Sequence, residues 1–108
     1  MSREISEADW KILRQLKPLA LERFCQRVLA EVAHLAADTT KSAHERYLAI
    51  FELTRDRDKD LARAFNNLRR STALWQLASM KSQRLLTEAE LASFSQETRE
   101  ILQTFIGP

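Results

Sequence analysis

The sequence predicts an all-α fold, a compact bundle of five to six helices of which two are long. The 108 residues include one glycine and two prolines, whereas average usage is about 7% glycine and about 5% proline. Walker loops and dinucleotide-binding fingerprints depend on glycine, so these nucleotide sites are excluded. Tight hairpins also favour glycine, which disfavours a meander, a sandwich or a barrel. Apolar residues instead recur at intervals of three and four, as in amphipathic helices.

Length and composition predict a single helical domain over residues 1–108. A hydrophobic fraction of 44% suffices for one core at this length. No apolar run approaches the roughly 20 residues that span a bilayer, and the first residues contain no apolar signal segment. The single cysteine excludes an intrachain disulfide. We therefore expect a cytoplasmic protein without membrane contact.

The first helix is expected to begin after Ser6, whose side chain suits an N-cap with Asp9 at the third helical position. Ile5 and Trp10 are placed to form a hydrophobic staple across this cap. The first helix is predicted to end near Lys17.

Pro18 is expected to occupy the first turn of a second helix, the alternative being a kink in one continuous helix. This second helix is predicted to reach about Ala37. Its apolar stripe comprises Leu21, Phe24, Cys25, Val28, Val32, Leu35 and Ala36.

Residues 38–42 combine turn-favouring and capping side chains and predict a loop. A third helix follows, in which Tyr47, Leu48, Ile50 and Phe51 are expected to face the core. Its end is open, because Asp56 or Asp58 could cap a new helix. Equally, one helix could continue to about residue 84, since one apolar register runs in steps of four and three through Tyr47, Phe51, Thr54, Asp58, Leu61, Phe65, Leu68, Thr72 and Trp75.

Residues 58–84 are expected to form a long helical partner for the second helix. Segment 55–84 has a net charge of +5, and Lys59, Arg63 and Arg70 would lie on one side of a continuous helix. Leu74 and Leu77 project from that same side. A helix that is apolar on two sides must be covered on two sides, so residues 74–77 form either the centre of the bundle or a subunit contact.

The end of the chain contains two further helix starts. Thr87 and Glu90 form a capping box, which predicts a short helix ending near Ser93. Ser95 is expected to cap a last helix, which Gly107-Pro108 would stop. Its apolar residues are Ile101, Leu102, Phe105 and Ile106.

Three sequence patterns resemble catalytic or metal-binding constellations, and each is incomplete. Glu31 and His34 have the spacing of a di-iron half-site, but no second copy exists in the chain. The acidic residues at 56, 58 and 60 lack the glycine and glutamate of a calcium loop. Cys25 lies in an apolar stripe, where cysteine behaves as a small hydrophobe. We therefore expect no metal, no cofactor and no enzymatic activity.

The predicted function is that of a non-enzymatic protein-interaction or regulatory module, most simply a homodimer, in an unspecified process. The candidate interface combines leucine, tryptophan and methionine, residue types that suit a subunit contact. Its members are Leu74, Trp75, Leu77, Met80 and Leu85.

The alternative prediction is a nucleic-acid-associated protein that contacts phosphates through Lys59, Arg63 and Arg70. Such binding needs clustered positive charge. Pairs such as Asp56–Lys59 and Asp60–Arg63 are expected to neutralise much of this strip.

Overall fold

The computed structural model describes residues 4–105, which contain five α-helices and no strand. The predicted all-α class and the number of helices are thus confirmed. The helices are α1 (Glu7–Ala36), α2 (Ala43–Phe65), α3 (Ala73–Ser82), α4 (Glu88–Ala92) and α5 (Gln96–Thr104).

α1 runs without interruption through Pro18, so the prediction of a new helix at this proline was wrong. A proline within a helix removes one backbone hydrogen bond. Leu13 and Ala20, on either side of it, are both completely buried. Packing of the two flanking turns into the same core holds them in line, while Pro18 itself is exposed.

α2 also continues further than either predicted cap, through residues 55–60 to Phe65. Residues 42–84 therefore form two helices separated by residues 66–72, and the long 58–84 helix does not exist. The break follows from the conformation of Asn67 and from a contact with α3. Asn67 adopts the left-handed conformation with φ 57°, which asparagine tolerates. The buried amide of Gln76 donates to the carbonyls of Ala64 and Asn66 at 3.4 and 2.8 Å.

One end of the molecule, here named the base, contains the buried core. The first half of α1 and the end of α2 pack there against α3, and α5 also packs against α3. The buried apolar residues are Ile5, Leu13, Ala20, Phe24, Ala64, Phe65, Ala73, Leu74, Leu77, Met80, Leu85, Leu86, Phe94 and Leu102. The base is the part of the chain that matches the predicted compact bundle.

The other end, here named the arm, is an antiparallel two-helix hairpin formed by residues 25–60. No residue from Cys25 to Arg63 is buried. The molecule measures 53 × 27 × 22 Å, and its radius of gyration of 16.6 Å exceeds the roughly 13 Å expected for a globular domain of this length. The expected compactness thus fails for the arm, which is one third of the chain.

The predicted caps at Ser6, Thr87 and Ser95 are confirmed. Each hydroxyl accepts the backbone N–H three residues on, and Thr87 forms the full capping box with Glu90. The predicted stop of the last helix at Gly107-Pro108, and Ile106 with it, lie outside the described residues.

Candidate interaction surface

The two helices of the arm are joined by an ion pair across the hairpin. Arg57 donates to both carboxylate oxygens of Glu31, from Nε at 3.2 Å and from Nη2 at 3.0 Å. These hydrogen bonds raise the pKa of Arg57. A two-point contact of this kind fixes orientation as well as distance, so the arm has a defined geometry although it has no buried residue.

The tip of the arm is fixed by local hydrogen bonds. Ser42 and Glu45 form a capping box at the start of α2, and hydrogen bonds from Ser42 hold the pKa of the Glu45 carboxyl below its usual value. Arg46 Nη1 donates to the carbonyl of Ala36 at 2.7 Å, which covers an otherwise unpaired acceptor at the end of α1. In the loop, the Thr40 N–H donates to Asp38 at 3.1 Å.

Two arginines of α1 contact the segment that joins α3 to α4. Arg23 donates to both carboxylate oxygens of Glu90, at 2.7 and 3.0 Å, and to the carbonyl of Leu85 at 2.9 Å. Arg27 donates to the carbonyls of Gln83 and Arg84. The end of α3 and the start of α4 therefore lie on the side of α1 that bears these arginines.

The hydrogen bonds from Arg23, together with the backbone N–H of Thr87, lower the pKa of the Glu90 carboxyl to about 2. The carboxylate is thus charged throughout the neutral range, and its pairing with Arg23 ties α4 to α1.

The turn that Arg27 contacts follows the end of α3 and contains one residue, Arg84, in the left-handed conformation. Arg84 has φ 57°; its N–H donates to the Lys81 carbonyl at 2.9 Å, and the N–H of Leu85 donates to Met80 at 3.0 Å. This is the Schellman arrangement, in which glycine usually takes the left-handed position. It leaves the next carbonyls pointing outward, where Arg27 reaches them.

A buried carboxylate fixes the other end of α1 to α5. Asp9 accepts from the backbone and hydroxyl of Ser95 at 3.0 and 2.6 Å and from the Thr98 hydroxyl at 2.6 Å. Burial raises the pKa of the Asp9 carboxyl, but these hydrogen bonds outweigh it and the net pKa is lowered. Asp9 therefore stabilises the base, and all its described contacts are structural.

The side of the arm that bears Leu29, Tyr47 and Phe51, here named the open face, is apolar and exposed. Leu29 and Tyr47 are each 66% exposed and Phe51 is 56% exposed. The prediction that Tyr47, Leu48 and Phe51 face the core was therefore wrong. Tyr47 and Phe51 precede Thr54 by seven and three residues, so they lie on the same side of α2.

A groove of about 360 Å³ runs between α1 and α2 on the open face. Its walls combine apolar side chains with two charged residues, Arg57 and Asp58. The lining residues are Phe24, Cys25, Val28, Leu29, Thr54, Arg57, Asp58 and Leu61. Along α2, Phe51 and Tyr47 therefore project beyond the groove, towards the tip.

A second groove, of about 410 Å³, lies on the other side of the arm. It is lined by Ala30, Glu31, His34, Leu35 and Leu53. Ala30 and His34 follow Arg27 by three and seven residues, so this groove continues the side of α1 that the base covers.

The predicted interface lies largely inside the single chain. Leu74, Leu77, Met80 and Leu85 are at most 8% exposed, because α1, α2 and α5 all pack against α3. These four residues are core, so placing them at an interface was wrong. Trp75 alone is exposed, at 69%, with its ring in edge contact with Phe105 at 6.3 Å.

The predicted basic strip is divided by the break after α2. Lys59 and Arg63 remain on α2, whereas Arg70 lies in the turn that follows it. Arg63 pairs with Asp60 at 3.2 Å, as predicted. Arg70 pairs with Glu7 at 3.0 Å and lies over the Trp10 ring. The strip is thus interrupted in space and partly neutralised.

The predicted Asp56–Lys59 pair does not form, since Asp56 lies 3.7 Å from Arg55 instead. Glu31 of the di-iron-like pattern is held by Arg57, and His34 is exposed. Within residues 4–105 no group of three metal-ligating side chains lies close enough together to hold an ion.

Comparison of the chain with protein-family models, with curated proteins and with solved structures finds no significant match. Across residues 4–105, every helix is too short or too polar to cross a bilayer.

Proposed function

We propose that this chain is a non-enzymatic protein-interaction module that self-associates through the open face of the arm. The observation that carries the proposal is the exposure of Leu29, Tyr47 and Phe51 on one side of a hairpin without buried residues. Large contiguous apolar patches are rare on monomeric proteins and mark interaction sites when they occur.

The surface area of the chain supports self-association. Its accessible surface of 7579 Å² exceeds by about 1,400 Å² the value expected for a folded monomer of 12.5 kDa. A standard protein interface buries about 800 Å² on each partner. The excess is therefore larger than the area that a standard interface buries on one partner.

The charge of the arm supports a protein partner over nucleic acid. Residues 25–60 contain six basic and seven acidic side chains, so the arm has almost no net field to attract a polyanion or to repel a second copy. The alternative of nucleic-acid binding through Lys59, Arg63 and Arg70 has less support, because Arg63 and Arg70 are engaged by carboxylates of the same chain.

The test is the mass in solution across a concentration series, by light scattering or sedimentation equilibrium. We expect a mass of twice 12.5 kDa for the unaltered chain. Phe51→Glu places a charge in the centre of the open face and should produce a monomer, since burying an unpaired charge is strongly unfavourable.

Leu19→Glu is the matched control, because Leu19 is an exposed leucine of the base, at 49%. It should leave the dimer intact, and circular dichroism should find both variants equally helical. A chain that remains monomeric at high concentration, or dimers weakened equally by both variants, would contradict the proposal. Retention of a mixed-sequence duplex at low salt would favour the nucleic-acid alternative instead.

A further inference from the structure

We infer that two copies pack with their open faces together and their arms antiparallel, so that Phe51 of each chain enters the groove of the other. The inference rests on the proposed function, because it names the geometry of the same contact. It makes the occupant of the groove a second copy of this chain.

The first argument is the placement of the projecting side chains and the groove along α2. The groove is lined on α2 by residues from Thr54 to Leu61, whereas Phe51 and Tyr47 lie nearer the tip. Phe51 and Asp58 are seven residues apart, or about 10 Å along the helix. Phe51 and the groove thus lie at different positions along the arm, on the same face.

Twofold symmetry favours antiparallel arms over parallel ones. Most homodimers have a twofold axis, and both copies then use the same surface. If the two tips pointed in the same direction, each residue would lie opposite its own copy. The two grooves would then face each other, and so would the two Phe51 side chains. With the tips pointing in opposite directions about an axis between Phe51 and Asp58, each Phe51 meets the partner's groove.

The third argument is what the groove offers to a phenylalanine ring. Cys25, Val28 and Leu61 are each only partly buried within one chain, and they present apolar surface at the groove floor. An aromatic side chain seated among such residues is the usual form of an interface anchor. The pairing covers the apolar surface of both chains in one step.

The arrangement can be tested by measuring distances between spin labels in a Cys25→Ala background, after light scattering has shown that this groove variant has the same mass in solution as the unaltered chain. Thr39 lies in the exposed tip loop, so Thr39→Cys reports the separation of the two tips. Antiparallel arms place the tips about 40 Å apart, given a rise of about 1.5 Å per residue. Parallel arms would place them within about 20 Å, since packed helices lie about 10 Å apart.

Ala33→Cys is the matched control, because Ala33 is exposed near the middle of the arm. It should give a short distance in either orientation, provided that the arms are in contact. A long Thr39 distance together with a short Ala33 distance supports the inference.

A short Thr39 distance with a dimeric mass would overturn the antiparallel arrangement and leave the proposed function standing. A monomeric mass for the chain before labelling, with no dipolar signal from either label, would overturn both. In that case the groove would belong to a different protein.

Discussion

The base and the arm are formed by the same two helices, yet only the base buries their apolar residues. Phe24 of α1 and Phe65 of α2 meet edge to face at 6.2 Å and are 7% and 4% exposed. Fourteen residues before Phe65, on the same helix, Phe51 is 56% exposed. The difference arises because the contacts of α3 and α5 do not extend along the arm.

The helices of the base and those of the arm are held in place by different interactions. The base is stabilised by burial and by polar contacts between distant residues, such as Asp9 with Thr98. The arm is fixed by capping, by one ion pair across the hairpin and by contacts within its tip. Local interactions of this kind contribute only tenths of a kcal/mol to about 1 kcal/mol each, so the arm gains more from a partner than the base does.

The largest expected contrast comes from truncating one leucine in each region. Leu77 is completely buried in the base, whereas Leu29 is 66% exposed on the arm. Leu77→Ala should lower the free energy of unfolding by about 3 kcal/mol, through lost burial and an unfilled cavity. Leu29→Ala should change the unfolding of a dilute sample by less than about 0.5 kcal/mol. Urea denaturation at low protein concentration measures both, and equal effects would remove the distinction between base and arm.

A smaller contrast is expected between two carboxylates that both accept hydrogen bonds. Asp9 is 2% exposed and joins α1 to α5, whereas Asp38 accepts from Thr40 within the tip loop. Asp9→Asn should cost about 2 kcal/mol, because it leaves buried donors without their acceptor. Asp38→Asn should cost about 0.5 kcal/mol. Thermal unfolding of both variants provides the comparison, and an Asp38 effect as large as that of Asp9 would contradict it.

The pH dependence of the base sharpens the comparison further. The pKa of Glu90 is lowered from 4.5 to about 2, so the folded state favours the charged carboxylate. Its stabilising effect is complete above about pH 4.5 and is lost as the pH falls towards 2. Glu90→Gln should cost about 1.5 kcal/mol at pH 7, and this cost should shrink through that window.

The exposed pair of Glu7 and Arg70 is the control for this titration. Both side chains are more than half exposed, and such pairs contribute about 0.5 kcal/mol or less. Glu7→Gln should therefore alter unfolding little at any pH. A cost for Glu90→Gln that stayed constant from pH 7 to pH 2 would show that the Arg23 contact is not its source.

Much of the helical content could be predicted from the sequence because helix signals are local. The near-absence of glycine favours helices over tight turns, and the caps at Ser6, Thr87 and Ser95 each act within a few residues. The structure confirms all three caps. The break after Phe65 was misplaced because it depends on Gln76, which reaches back from α3. Contacts ten and twelve residues away, to Asn66 and Ala64, leave no mark in a local pattern.

The candidate surface was harder to predict for the same reason. The register through Tyr47, Phe51 and Thr54 is visible in the sequence, but an amphipathic stripe does not reveal how much of its length is covered. The extent of cover depends on where α3 to α5 pack. Conversely, Leu74 and Leu77 lie three residues apart on one side of α3, and both are buried because α1, α2 and α5 pack against this helix.

The continuity of α1 gives the molecule the mechanics of a lever. One uninterrupted helix connects the Asp9 carboxylate in the base to the end of the arm at Ala36, about 40 Å away. A force applied near the tip is therefore transmitted along a single rod to the contact between α1 and α5. Pro18 leaves one backbone hydrogen bond of that rod unformed, and the complete burial of Leu13 and Ala20 on either side of it keeps the two parts of the rod in line.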